Sequence, residues 1–289
     1  MTRAGLAYAL AAFLFWGAVP IYWKHLAHVP PIEIVLHRIL WSSVLIAGLL
    51  TRQKRWREVQ ASLRDRTTAL TLTATTFLIG SNWFLFIWAV NSGRLLETSL
   101  GYFMTPIVNI VLGLLFLKER LSPPQLIAVA LAAAGVLNLM AAHGAFPWLA
   151  VFLAVTFGLY GLLRKKVSAD ALVGLGVETL LLALPAAGGL LYFGADGTLV
   201  FLRETKTDLL LLGTSVITTL PLLWFSQAVR RLEMKAVAFT QYLSPICHFL
   251  LAIFLFHEPL SRAHLLTFLL TWGALLIYSL DAALTHRKS

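Results

Sequence analysis

The sequence predicts an all-α integral membrane protein of ten transmembrane helices, arranged as two inverted five-helix repeats. Three observations carry this prediction. Of the 289 residues 59% are hydrophobic and only 12% charged, about half the charge that a water-soluble chain spends on its surface. The apolar residues fall into ten runs long enough to cross roughly 30 Å of hydrocarbon as helices. The second half of the chain also repeats motifs of the first at one constant offset.

The runs follow one another with short, punctuated connections. Arg3 precedes Leu6–Trp23, which is read as a first membrane helix because no A-x-A cleavage site separates it from the next run. Pro30-Pro31 stops and restarts the chain before Ile32–Leu50. The inner connection Thr51–Thr67 is polar and basic, and Ala69–Val90 follows it. Thr98–Leu117 contains Pro106, and Ser122 before Pro123 suits the cap and first turn of Leu126–Ala142. Trp148–Leu163 is the shortest run and ends in Arg164-Lys165-Lys166. Ala171–Phe193 carries Glu178, and Gly194–Thr207 is the longest outer connection. Leu209–Val229, Ala236–Phe256 with Pro245, and Ala263–Ala283 complete the set. Strict alternation is missing, which excludes a β-barrel; helices satisfy their own backbone hydrogen bonds in lipid.

Basic residues orient the chain. With ten crossings, every Lys and Arg except Lys24, Arg94, Arg203, Lys206, Arg262 and the intramembrane Arg38 falls on the side of Arg3. By the positive-inside rule that side is the cytoplasm, and both termini lie there. The net charge of +10 therefore reflects loops held against an anionic membrane face, and no nucleic-acid surface is expected.

The repeat divides the chain into residues 1–142 and 147–284. Phe103-Met104-Thr105-Pro106-Ile107 aligns with Tyr242-Leu243-Ser244-Pro245-Ile246, and Phe116–Ser122 aligns with Leu255–Ser261. Ala89-Val90 meets Ala228-Val229 without a gap. An odd number of crossings per unit inserts the second unit upside down, a symmetry found in many secondary transporters.

Specific segments also carry a family resemblance. They include Phe15-Trp16-Gly17, His37-Arg38, Gly80-Ser81-Asn82-Trp83, Phe86–Asn91 and Glu97–Phe103, with Pro106–Gly113, Tyr160–Lys166 and Ala228–Leu232 extending the set. On these the chain resembles the EamA family of the drug/metabolite transporter superfamily. The resemblance implies ten spans, two EamA units, a bacterial inner membrane and cytoplasmic ends, together with transport of small metabolites. It implies no catalytic residues.

Polar groups inside spans mark the candidate site, because lipid tolerates them poorly. Tyr102, Pro106, Asn109 and Gly113 share one helical face, and their repeat equivalents are Gln241, Pro245, His248 and Ala252. Pro106 and Pro245 each free a carbonyl one turn earlier and are expected to kink their helices. Asn109 and His248 either hydrogen-bond a polar substrate or tie helices together, and His248 is also a candidate proton carrier. Glu33, His37 and Trp41 form one ridge, whereas Arg38 points elsewhere to attract a carboxylate or to pair with an acid. Glu178, the deepest acid, is the candidate counter-charge. Trp16, Asn82, Trp83 and Tyr160 can line a wall for a planar or amphipathic molecule. The predicted substrate-binding set is thus Trp16, His37, Arg38, Asn82, Trp83, Tyr102, Asn109, Tyr160, Glu178, Gln241 and His248. Glu119 and Glu258, equivalent in the repeat, read as capping or loop-fixing groups.

Enzyme signatures are missing from the sequence. There is no GxxxxGK[ST] loop, HExxH motif, Gly-x-Ser-x-Gly elbow or spaced metal cluster, so no cofactor and no metal are expected. Cys247 is the lone cysteine, which precludes an internal disulfide. The expected function is secondary active export of a small amino-acid-like or amphipathic metabolite by alternating access, with proton coupling. A non-transporting membrane receptor and a membrane-embedded lipid-modifying enzyme are the alternatives. The expected partners are the substrate and the lipid bilayer; a monomer and a homo-oligomer fit the sequence equally.

Overall fold

The computed structural model describes residues 2–91, 95–143, 146–255 and 262–286. Its described elements are all helices: α1 (Arg3–Lys24), α2 (Pro31–Arg52), α3 (Trp56–Arg64), α4 (Arg66–Asn91), α5 (Leu95–Leu117), α6 (Pro123–His143), α7 (Trp148–Lys166), α8 (Ala171–Ala195), α9 (Thr205–Arg231), α10 (Met234–Gln241), α11 (Leu243–Phe254) and α12 (Arg262–His286). Among the described residues, eight helices are long and apolar enough to cross a membrane, and α12 adds a shorter apolar stretch, Leu265–Asp281. Large apolar side chains point away from the protein, with Leu184 82% exposed and Phe77 73%. Such a surface is stable only against lipid. The chain is a multi-pass membrane protein.

Local chemistry sets the helix ends. Thr2 Oγ1 accepts from Gly5 N–H at 3.2 Å, and Asp170 caps α8 by accepting from Leu172 N–H at 3.0 Å. At α6, Ser122 Oγ accepts from Gln125 N–H while the Gln125 side chain accepts from Ser122 N–H, a reciprocal capping box.

Two features depart from the sequence reading. The polar connection Thr51–Thr67 contains a helix, α3, which buries Val59 and leaves Trp56 and Leu63 exposed. The run Ala236–Phe256 is not continuous; it breaks at Tyr242 between α10 and α11. Pro245 lacks the N–H that would have bonded the carbonyl of Gln241, and this explains where the break lies. Pro106, by contrast, sits within an unbroken α5.

Helices from the two segments interleave. α1 packs on α9 and α11, α2 on α8 and α9, α4 on α7 and α8, and α5 on α7 and α10. α6 and α12 pair with each other, joined by Asn138 Nδ2 donating to Ala263 O at 2.7 Å and to Thr267 Oγ1 at 3.0 Å. Polar side chains inside the bundle therefore lie where helices distant in sequence meet.

Candidate functional site

Arg38 lies on α2 among α1, α4, α5 and α9. Its Nε donates to Thr218 Oγ1 of α9 at 3.0 Å. Its guanidinium carbon stands 4.9 Å from the centroid of the Trp83 ring and 5.4 Å from that of Trp23, both within cation–π range. Tyr102 of α5 faces it at electrostatic range. Among the described residues no carboxylate lies within 4 Å of Arg38. The residue is nevertheless only half-buried. An arginine within a span is costly in hydrocarbon unless it is paired, hydrated or reaches the interface, and here the Thr218 hydroxyl and two indole faces surround it.

The expected counter-charge serves another cation. Glu178 Oε1 stands 3.7 Å from Arg164 Nη1 and accepts from Thr75 at 2.6 Å, while Oε2 accepts from the Tyr160 hydroxyl at 3.2 Å. Arg164 also donates through Nη2 to Ala171 O at 3.0 Å and through Nε to Ser226 Oγ at 3.4 Å. This corrects the pairing of Arg38 with Glu178. Arg164, read as part of a cytoplasmic basic cluster, is 0% exposed. Its place one helical turn beyond Tyr160 was the available signal, since i and i+4 share a face. Trp23 and Thr218 were also missed; a lone hydroxyl or a span-end Trp carries no distinctive pattern.

Other predicted residues join helices. Asn109 Nδ2 donates to Gln241 Oε1 at 2.8 Å, linking α5 to α10 with both side chains buried. Asn82 Nδ2 donates to Leu153 O and Thr156 Oγ1, each at 2.9 Å, linking α4 to α7. The part of this face that bears Pro106, Asn109 and Gly113 is thus a packed seam. A Cβ on Gly113 would come within 2.8 Å of Glu119 Oε2 and 3.1 Å of Met234 Cβ. This close approach lets Glu119 cap α10, accepting from Met234 N–H at 2.6 Å and Lys235 N–H at 3.1 Å. Glu258, its repeat equivalent, lies outside the described residues.

The Tyr102 and His248 rings meet edge to face at 5.7 Å, and His248 Nε2 is 3.1 Å from Trp16 O. The Trp16 ring packs against Phe157 and Phe225, each at 5.8 Å, and Tyr160 stacks on Phe225. This aromatic core connects His248 to the Glu178 cluster. Glu33, His37 and Trp41 do form a ridge. Trp41 Nε1 donates to His37 Nδ1 at 2.9 Å, and Glu33 accepts from Val200 and Phe201 N–H at 2.9 Å. Glu33 thereby anchors the connection between α8 and α9, and His37, 2% exposed, packs its ring 4.6 Å from Phe201 of that connection.

Residues 3–141 match the model of the EamA-like transporter family. The chain is 42% identical to "Protein RarD" of Salmonella typhi, over 99% of this chain and 98% of that protein. It is 40% identical to "Uncharacterized transporter YojE" of Bacillus subtilis, over 100% and 97% of the two chains. A solved structure titled "Crystal structure of protein" shares the fold with a TM-score of 0.75, at 15% identity and covering 98% of this chain and 99% of that one. With its helical membrane architecture and full-length relatives at this level of identity, the chain belongs to the RarD group of the EamA-like transporter family.

Proposed function

We propose that the chain is a secondary active transporter of the bacterial inner membrane, exporting a small metabolite by alternating access. In this reading the halves, residues 1–142 and 147–284, are inverted five-helix repeats with both termini in the cytoplasm. Ten spans follow if α10 and α11 are one crossing broken at Tyr242 and the apolar part of α12 is the last.

The observation that carries the proposal is an exchange of partners. At the constant repeat offset Asn109 corresponds to His248 and Tyr102 to Gln241. The Asn109–Gln241 bond therefore maps onto the Tyr102–His248 contact. The equivalent residues Phe103 and Tyr242 meet each other, the Tyr242 hydroxyl donating to Phe103 O at 3.4 Å. Helix pairing follows the same exchange: α1 on α9 mirrors α7 on α4, α1 on α11 mirrors α7 on α5, and α2 on α9 mirrors α8 on α4. Two related halves have two equivalent packings, which is what opening to alternate sides requires.

The mates differ in closure. Asn109 and Gln241 are buried, whereas Tyr102 is 37% exposed and His248 half-buried. With a cytoplasmic N-terminus, this conformation opens toward the periplasm. Arg38 would hold an anionic group of the substrate, with Trp83, Tyr102 and His248 beside it, and Glu178 or His248 would carry a coupling proton. Flux into liposomes under an imposed proton gradient tests this reading. Gradient-driven movement of a metabolite is expected, diminished by Arg38→Ala and Glu178→Gln. No movement across a broad metabolite panel would favour the receptor reading, and full flux in both variants would remove these residues from the cycle.

A further inference from the structure

We infer that Arg38 is a carboxylate-binding group and that the ligands it takes are small monocarboxylates with a planar or branched apolar body. The inference deepens the transport reading and rests on it only for the steps after binding. Arg38 spends Nε on Thr218 Oγ1 and finds no protein acceptor for Nη1 or Nη2 among the described residues. Those two nitrogens form the planar fork that a carboxylate accepts side by side.

Charge balance narrows the class. A single cation inside the bundle compensates one negative charge, so a dianionic phosphate would leave one charge without a protein partner. An α-amino acid would bring an ammonium that also needs a partner, and the acids held within the helix bundle already have partners. Glu33 accepts from Val200 and Phe201, Glu178 is held by Arg164, Thr75 and Tyr160, and Glu119 caps α10. The walls select the rest of the molecule. Trp83 and Trp23 flank the guanidinium, and Tyr102 meets His248 edge to face. They offer ring faces to an apolar body.

Tryptophan fluorescence of the purified full-length protein in micelles reads occupancy directly, because two indoles border Arg38. Phenylacetate is the probe, compared with neutral phenylacetamide, dianionic phenyl phosphate and zwitterionic phenylalanine. Phenylacetate is expected to bind at least roughly tenfold more tightly than each of the others, the scale of a charged bidentate pair. Arg38→Lys keeps the charge but loses the fork and should weaken phenylacetate by about tenfold; Arg38→Gln should abolish the response. Equal binding of phenylacetate and phenylacetamide, or unchanged binding in Arg38→Gln, would overturn the inference. If the variants do not fold, the wild-type series decides alone. Phenylacetate that binds but is not moved in liposome counterflow refutes transport of this class and leaves the site standing. Flux of other cargo by a protein that binds no carboxylate does the reverse.

Discussion

Adding one methyl group at Gly174 is expected to disable the buried ion pair near the N-terminal end of α8. A Cβ at Gly174 would stand 2.7 Å from Cζ and 2.9 Å from Nη2 of Arg164 and would overlap Nη1. The guanidinium has no route of retreat, since it is 0% exposed and held by Ala171 O and Ser226 Oγ. Relief of the clash must lengthen its 3.7 Å approach to Glu178, leaving a carboxylate that is 1% exposed without its cation. Overpacking alone costs about 1–3 kcal/mol, and breaking a buried pair about 3–5 kcal/mol. The two overlap, so Gly174→Ala should cost about 3–5 kcal/mol in total. In an Arg164→Leu/Glu178→Gln background the obstructing guanidinium is gone, and the same methyl should cost less than about 1 kcal/mol. Reversible unfolding in mixed micelles of the four proteins yields the coupling energy, expected above about 2 kcal/mol. A Gly174→Ala protein as stable as wild type would refute the argument, as would a penalty of equal size in both backgrounds.

Two further expectations concern the loops. Arg55 donates to Glu58 at 2.8 and 2.6 Å and to Asp170 at 2.8 Å. The Arg55 hydrogen bonds hold the Glu58 carboxyl below its ordinary range. For Asp170 burial pushes upward, but hydrogen bonds from Leu172 N–H and Arg55 outweigh it and the net shift is also downward. Both acids bind protons more weakly when folded, so their stabilisation is complete above an unfolded value of about 4 and fades as pH falls through the lower folded value. The difference in thermal midpoint between wild type and Asp170→Asn should therefore shrink as pH falls below about 4, and a difference that does not change with pH would count against this account. Topology is read by cysteine labelling in a Cys247→Ser background, using Gln60→Cys on α3 and Asp196→Cys beyond α8, both exposed. An impermeant maleimide should reach position 196 in intact cells and position 60 only after permeabilisation; equal access to both in intact cells rejects the inverted arrangement.

Much of the local structure was legible in the residues. Ser122 before Pro123 marks a helix start because the hydroxyl and the proline each suit the first turn. The spacing of Glu33, His37 and Trp41 places them on one ridge, and the Trp41–His37 bond follows from that spacing. The helix in Thr51–Thr67 was missed because its nine residues are mostly polar, and its one buried apolar group, Val59, makes no run. The candidate site was only partly legible. Asn82, Asn109 and Gln241 were named for their polarity, yet whether an amide meets a ligand or another helix depends on what lies opposite it. Here each lies opposite a neighbouring helix.

Transfer to hydrocarbon is a cost counted residue by residue, and a helix closes its hydrogen bonds within itself. The apolar segments and the oriented basic loops are therefore properties of the amino-acid string alone. Which helix stands beside which is a property of lateral packing, set by small residues such as Gly17 against Cys247 and Gly113 against Met234. Only that packing gave Glu178 to Arg164 and set Arg38 between two indoles. Side chains far apart along the chain become partners through the rotation and depth of their helices, which no local pattern encodes.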